Sequence, residues 1–294
     1  MIRLRSLRSV AVLLLLLVVF VGPILIVLLN ALAARWAYPA VLPEGWSLRG
    51  VRFVLRNARD LISSILSSFM YSITVVVLSF IVCIAPARVL ARDRFPGRRI
   101  LEALFLSPVL IPAITYGMGI HFLFIRLGLA NRTVGVVLVL TAASYPYMLR
   151  ALIAGFEQIH RDYETCASNL GAGWLRRTML VTIPMLLPAI VAGSTVVFLV
   201  AFSDYFLVFL IGGGAVRSFT GFLFPFLSAG DRTIGSTLTL LFVLIPIMLF
   251  VVLELTVRRF YATDSPRYNG SDGSQTDSSP VDRVGPGGPL GTAP

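Results

Sequence analysis

The chain has 294 residues, 57% hydrophobic and only 13% charged, with a formal net charge of +11 and a mean hydropathy of +0.87. Soluble proteins carry about 25% charged residues, so this composition excludes an ordinary soluble domain and places the chain in a membrane, where each apolar span needs about 20 residues. All 25 basic residues are Arg, and without Lys neither a Walker A phosphate loop nor a Schiff-base amine can be built.

The Arg residues stand in small groups between apolar runs, as membrane flanks do, and do not form a nucleic-acid-binding face. Cys83 and Cys166 provide no disulfide framework and no metal spacing. The two histidines, His121 and His160, lie on different segments, so the His-Glu-x-x-His arrangement of a membrane metalloprotease is absent. Clustered carboxylates for Mg²⁺ are absent too, and no metal site or catalytic residue is expected.

Residues 1–9 read as a cytoplasmic N-terminus carrying Arg3, Arg5 and Arg8. The apolar run 10–29 follows. Ala31-Leu32-Ala33 mimics a signal-peptidase site, but the run exceeds the roughly 7 to 15 residues of a secretory core, so it reads as an uncleaved anchor, kinked at Gly22-Pro23. Residues 10–63 comprise this span and an external loop. Within the loop, Val51, Val54, Leu55, Ala58, Leu61 and Ile62 share one helical face and Arg52, Arg56 and Arg59 the other. That pattern describes a helix on the membrane surface or one packed on the outer ends of the spans.

Five further spans are predicted at 67–84, 100–124, 134–156, 186–211 and 234–255, giving an all-α, polytopic protein of six transmembrane helices with a core at 64–260. With the N-terminus inside, the cluster from Arg88 to Arg99, then Arg150, Arg161, Arg176, Arg177, Arg258 and Arg259, fall on the inner side. The positive-inside rule therefore puts both termini in the cytoplasm. Residues 261–294 turn to Ser, Asp, Gly and Pro and read as a disordered cytoplasmic tail.

The longest inner loop, 157–184, has structure of its own. Asp162 can cap a short helix whose apolar positions are Ile159, Tyr163, Ala167 and Leu170, ended by Gly171; a second helix from Trp174 then stops at Pro184. The run Glu164-Thr165-Cys166-Ala167-Ser168-Asn169-Leu170-Gly171-Ala172, followed by Ile183-Pro184, resembles the signature loop of the membrane (permease) subunits of bacterial ABC importers. It departs from that signature at two positions: aligned on Gly171, the family's Glu falls on Thr165 and its first Ala on Cys166, while Glu164 stands one position early.

The resemblance implies a type I importer permease-like fold in which this loop docks on a separate cytoplasmic ATPase. Arg161, Tyr163, Glu164, Ala167, Leu170, Gly171 and Ala172 are then the coupling residues, with the apolar ones buried against the ATPase and Glu164 and Arg161 at the rim. It also implies ATP-binding subunits, a second permease subunit, the same chain or a relative, and an extracytoplasmic solute-binding protein. ATP and Mg²⁺ would bind the ATPase, and this chain would hold no cofactor.

Asp204, in the run Phe202-Ser203-Asp204-Tyr205-Phe206, is an ionisable group inside the fifth span. Such a residue faces the bundle interior, either marking a solute pathway or pairing with an Arg. With Gly212-Gly213-Gly214 behind it, the run looks like the polyamine-type branch of the same permeases, which implies that Asp204, with Ser203 and Tyr205, lies near the solute route. Tyr116 in the third span is a further pathway candidate, and Tyr145, in Tyr145-Pro146-Tyr147 of the fourth, reads first as part of a kink with interior hydrogen bonds and second as solute lining. In the third span Pro108, Pro112, Gly117 and Gly119 predict a break or bend. His121 reads as a packing histidine, and Glu102 and Glu254 as members of ordinary helix-end pairs with Arg98 or Arg99 and Arg258.

The expected function is half of a solute pathway in the inner membrane, with a polyamine as first substrate. Other expectations are a sugar, iron, phosphonate or other anion permease of the same family, or a passive channel or membrane scaffold that lacks an ATPase partner.

Overall fold

The computed structural model describes residues 2–34, 36, 40 and 42–263, except for the side chains of 2–9, 11, 253, 254 and 256–263. The Glu254–Arg258 pair and nearly all of the tail expected from 261 lie outside the described residues. Among the described residues twelve α-helices follow one another: α1 (Ile2–Leu32), α2 (Arg49–Arg56), α3 (Ala58–Arg92), α4 (Arg98–Leu106), α5 (Ala113–Arg126), α6 (Thr133–Gln158), α7 (Arg161–Asn169), α8 (Trp174–Arg177), α9 (Ile183–Ser203), α10 (Phe206–Gly212), α11 (Phe219–Ser228) and α12 (Arg232–Thr263). Among the described residues five helical stretches are long and apolar enough to cross a membrane, or six when α4 and α5, bent by 94°, count as one broken span. Helix satisfies every backbone polar group within its own segment, which is what an apolar chain in lipid requires.

The centre is α6, flanked by α3 and α9. Along α3 the buried positions are Leu61, Ser64, Ser68, Tyr71, Ser72, Val75, Ser79, Cys83, Ala87 and Leu90; apart from the adjacent pair Tyr71 and Ser72 they are spaced by three and four, which sets Ser64, Ser68, Ser72, Ser79, Cys83 and Ala87 on one face. Small residues let membrane helices approach closely where lipid supplies no hydrophobic drive. On the other side of α6 a Cβ on Gly193 would stand 2.9 Å from Met148 Sδ and 3.0 Å from Ala151 Cβ, and one on Gly155 would overlap Ala189. Gly155→Leu should therefore force α6 and α9 apart at a cost of about 3 kcal/mol. A fall in monodisperse protein and in melting temperature on detergent extraction checks this, and an unchanged melting temperature would contradict the packing.

A second, aromatic cluster joins α9, α11 and α12: Phe202 stacks on Phe198 at 5.5 Å and on Phe242 at 5.8 Å, with Phe219 beside them. The helix α1 leans mainly on α12, where Thr233 Oγ1 donates to the Ala33 carbonyl at 3.1 Å. Pro23 lies inside α1 without interrupting it.

Four expectations need correction. The amphipathic segment 51–62 is two helices, broken at Asn57, and its last residues already belong to α3, so a boundary at 63/64 falls inside a helix. The residues that seat α2 are Gly50, against Thr237, and Phe53, 4.9 Å from Phe226, whereas Val51, Leu55 and Ile62 are exposed. The helix beginning at Trp174 does not stop at Pro184. It passes through a π turn at Thr178–Thr182 into α9, because a widened turn makes room for the proline ring, which lacks an N–H and crowds the carbonyl four residues back. The fifth span breaks where it was read as continuous: Asp204 has φ −74° and ψ 109°, between α9 and α10.

Candidate functional site: an inner helical loop and a cavity between two broken spans

The inner loop begins at buried Ile159 and extended His160, which occupies the N-cap position of α7. Asp162 lies in the first turn and makes no capping hydrogen bond; its carboxylate favours the helix only through the dipole. At the other end Gly171 adopts φ +80°. Its N–H donates to the Ser168 carbonyl at 2.9 Å, and that of Ala172 to the Ala167 carbonyl at 3.0 Å. This pair of bonds is a Schellman termination, which needs a left-handed residue at the position Gly171 occupies.

The loop sorts its side chains differently from the expectation. Tyr163 is 52% and Leu170 88% exposed, so both face outward. Trp174 and Leu175, which the motif does not include, join them as exposed large apolar residues. Their signal in the sequence was an apolar pair in an otherwise polar loop. Glu164 is not at a rim. It turns inward, with a side chain 14% exposed, and takes Arg88 Nη2 at 2.7 Å and Arg92 Nη2 at 3.7 Å, while Thr182 Oγ1 donates to it at 3.2 Å. Arg161 reaches back to Asp93 at 3.9 Å, and Ala167 and Ala172 are half-buried against the chain itself. Arg88 and Arg92, four apart at the inner end of α3, are the reason: two guanidinium groups on one helix face draw in the carboxylate presented by α7.

The second place is where the third and fifth spans break. Ser107–Leu110 is a 3₁₀ turn, Ile111 is extended at ψ 125°, and Pro112 caps α5, since proline biases the residue before it away from helix. Beside this break Asp204 interrupts span five. Its Oδ1 accepts the Leu207 N–H at 2.7 Å and so caps α10, and among the described residues it has no Arg partner. Together they line a cavity of about 370 Å³ that includes Pro108, Pro112, Tyr116, Tyr147, Asp204 and Leu207.

Two of the five candidate pathway residues, Asp204 and Tyr116, therefore share this cavity. Tyr205 faces a different one, of about 410 Å³, with Asp60, Ser64 and Arg217, and stacks on Phe224 at 4.1 Å. Ser203 Oγ donates to the Leu199 carbonyl at 2.7 Å. Tyr145 gives its hydroxyl to the Phe105 carbonyl at 2.8 Å and holds α6 on α4, while its neighbour Tyr147 takes the lining position. The pairs expected within one helix are tertiary: Glu102 binds Arg150 at 2.8 Å, and Arg98 binds Glu157 at 3.1 Å. His121 is half-buried, and its Nδ1 finds no hydrogen-bond partner among the described residues.

No family model matches the chain. Among curated proteins it is 33% identical over 161 residues to the molybdenum transport system permease protein ModB of Mycobacterium tuberculosis, covering 49% of this chain and 56% of the relative. It is 29% identical over 139 residues to the sulfate transport system permease protein CysT of Salmonella typhimurium, covering 43% and 50%. With the thiamine transport system permease protein ThiP of Brucella melitensis it shares 28% identity over 220 residues, covering 66% and 40%. The chain thus spans about half the length of the curated relatives it matches. A solved bacterial ABC transporter, involved in the import of the acidic polysaccharide alginate, superposes with a TM-score of 0.68 at 19% identity, over 86% of this chain and 96% of that one.

The protein is a multi-pass, all-helical membrane protein with the fold of an ABC importer permease. Its sequence relatives are named as permease proteins of molybdenum, sulfate and thiamine transport systems.

Proposed function

We propose that the chain is the transmembrane subunit of an ABC importer in a bacterial inner membrane, forming half of a solute pathway and hydrolysing no ATP itself. The observation that carries this is the outward-facing apolar group Tyr163, Leu170, Trp174 and Leu175 on a loop closed by left-handed Gly171 and clamped to α3 through Glu164. An exposed apolar group on a rigidly tethered element suits a partner that pushes on it, and the tether to α3 hands the displacement to the spans as a rigid body. ATP-binding subunits, a second six-span subunit and an external binding protein complete the machine.

The tagged chain, isolated in mild detergent, should bring down an ATPase and a second permease subunit. Gly171→Trp, strained at φ +80° but with open space around it, should lose the ATPase while remaining helical and monodisperse. Recovery of the native chain alone would sink the proposal and favour a channel or scaffold.

For the solute, the cavity between the broken spans has one charged lining residue, Asp204, which favours a small cation of the polyamine or thiamine kind. A second reading, a tetrahedral oxyanion, is favoured by the molybdenum and sulfate relatives. Proteoliposome uptake of labelled spermidine, thiamine, sulfate and molybdate, supplied with the cognate binding protein, separates the two.

A further inference from the structure

Between the inner end of α3, α7 and α8 lies a cavity of about 440 Å³ whose lining includes Arg88, Arg92, Arg161 and Arg177 with only Asp93 and Glu164 as acids; Thr165 and Ser168 add hydroxyls. The donors there are incompletely used. The Arg92 side chain is 11% exposed, and its Nη2 stands 3.7 Å from Glu164, beyond hydrogen-bond distance; among the described residues Arg92 Nε and Nη2 and Arg177 Nε are buried without a hydrogen bond. Arg177 Nη1 donates to Ser168 Oγ at 2.8 Å, holding the guanidinium in place. The nearest carboxylate to Arg161 among the described residues, on Asp93, is 3.9 Å away, and Glu164 is divided between Arg88, the more distant Arg92 and the Thr182 hydroxyl. A buried guanidinium with idle donors is costly, and its planar fork matches phosphate-type oxygens.

We propose that this cavity binds a tetrahedral oxyanion of the phosphate class, supplied either as a free anion or as the phosphate head of an acidic lipid. Arg92 and Arg177 provide the unused donors, Arg161 closes the side toward solvent, and Thr165 and Ser168 offer neutral hydrogen bonds. Basic pockets at the ends of membrane helices take lipid phosphates by this chemistry. Bound there, the anion ties α3 to α7 and α8, so its occupancy sets how stiffly the inner loop is held. The site belongs to this chain alone and stands whether or not the importer reading holds.

The test uses the full chain. In neutral detergent it is titrated with inorganic phosphate and with sulfate by calorimetry. In nanodiscs of phosphatidylcholine with or without phosphatidylglycerol, retained lipid is read by native mass spectrometry. One saturable site is expected, weakened about tenfold or more in Arg92→Gln and in Arg177→Gln, and tightened in Glu164→Gln, which removes a competing carboxylate. Binding of inorganic phosphate identifies a free-anion site, and retention of phosphatidylglycerol alone identifies a lipid site. Should either Arg variant aggregate, the other and the Glu164→Gln arm decide. Absence of saturable binding in both arms overturns the proposal, as does equal binding by native chain and soluble Arg variants.

Discussion

Glu164→Ala should lower the unfolding free energy by about 2 kcal/mol, a large effect for one partly buried side chain, because it removes the carboxylate that Arg88 and Arg92 share and leaves two neighbouring guanidinium groups facing each other. The same change strips Thr182, 3% exposed, of its acceptor at the π turn. The loss should appear first as release of the loop: faster proteolysis between α6 and α9, then a lower melting temperature. Glu164→Gln keeps a hydrogen-bond acceptor for Thr182 and should be milder. Equal stability of the alanine variant and the native chain would show that the inward turn of Glu164 contributes nothing.

Asp204→Asn should reduce uptake of a cationic solute by about tenfold or more, the loss of roughly 1.4 kcal/mol at one charge contact, without changing assembly. The substitution separates two roles of the residue. Asn still accepts the Leu207 N–H, so α10 keeps its cap, whereas Asp204→Ala should in addition cost about 1 kcal/mol of stability. Uptake assays on reconstituted transporter, paired with recovery of subunits, distinguish them. Unchanged cation uptake in the Asn variant would remove the carboxylate from the pathway and leave the oxyanion reading.

The spans were legible because apolar runs of membrane length have a single economical backbone solution, and the helix break around Pro108 and Pro112 followed from proline chemistry. Gly171 could be placed as a helix terminator because its φ of +80° is cheap for glycine alone. What the sequence hid were matters of partner and rotation. Glu164 carries no mark of which way it faces; that depends on Arg88 and Arg92, 76 and 72 positions earlier, arriving beside it (164 − 88 and 164 − 92). Tyr145 and Tyr147 differ by two positions on one helix, about 200° apart, and only the packing on α4 decides that the first is a strut and the second lines the cavity. Asp204 was visible as a costly residue, but its use as a helix cap came from a break that no proline announces.

The pairing of α1 with α12 has a consequence for how the chain is made. The hydrogen bond from Thr233 to Ala33 joins residues 200 positions apart, and at about 5–20 residues per second the ribosome takes roughly 10–40 s to deliver the second after the first. Through that interval the first span must rest in lipid without its partner. The first span is the most apolar of the candidate spans, and among its described side chains only Ala31, at its end, is buried inside the fold, which suits a helix that waits in the bilayer as an early arrival and is fastened last.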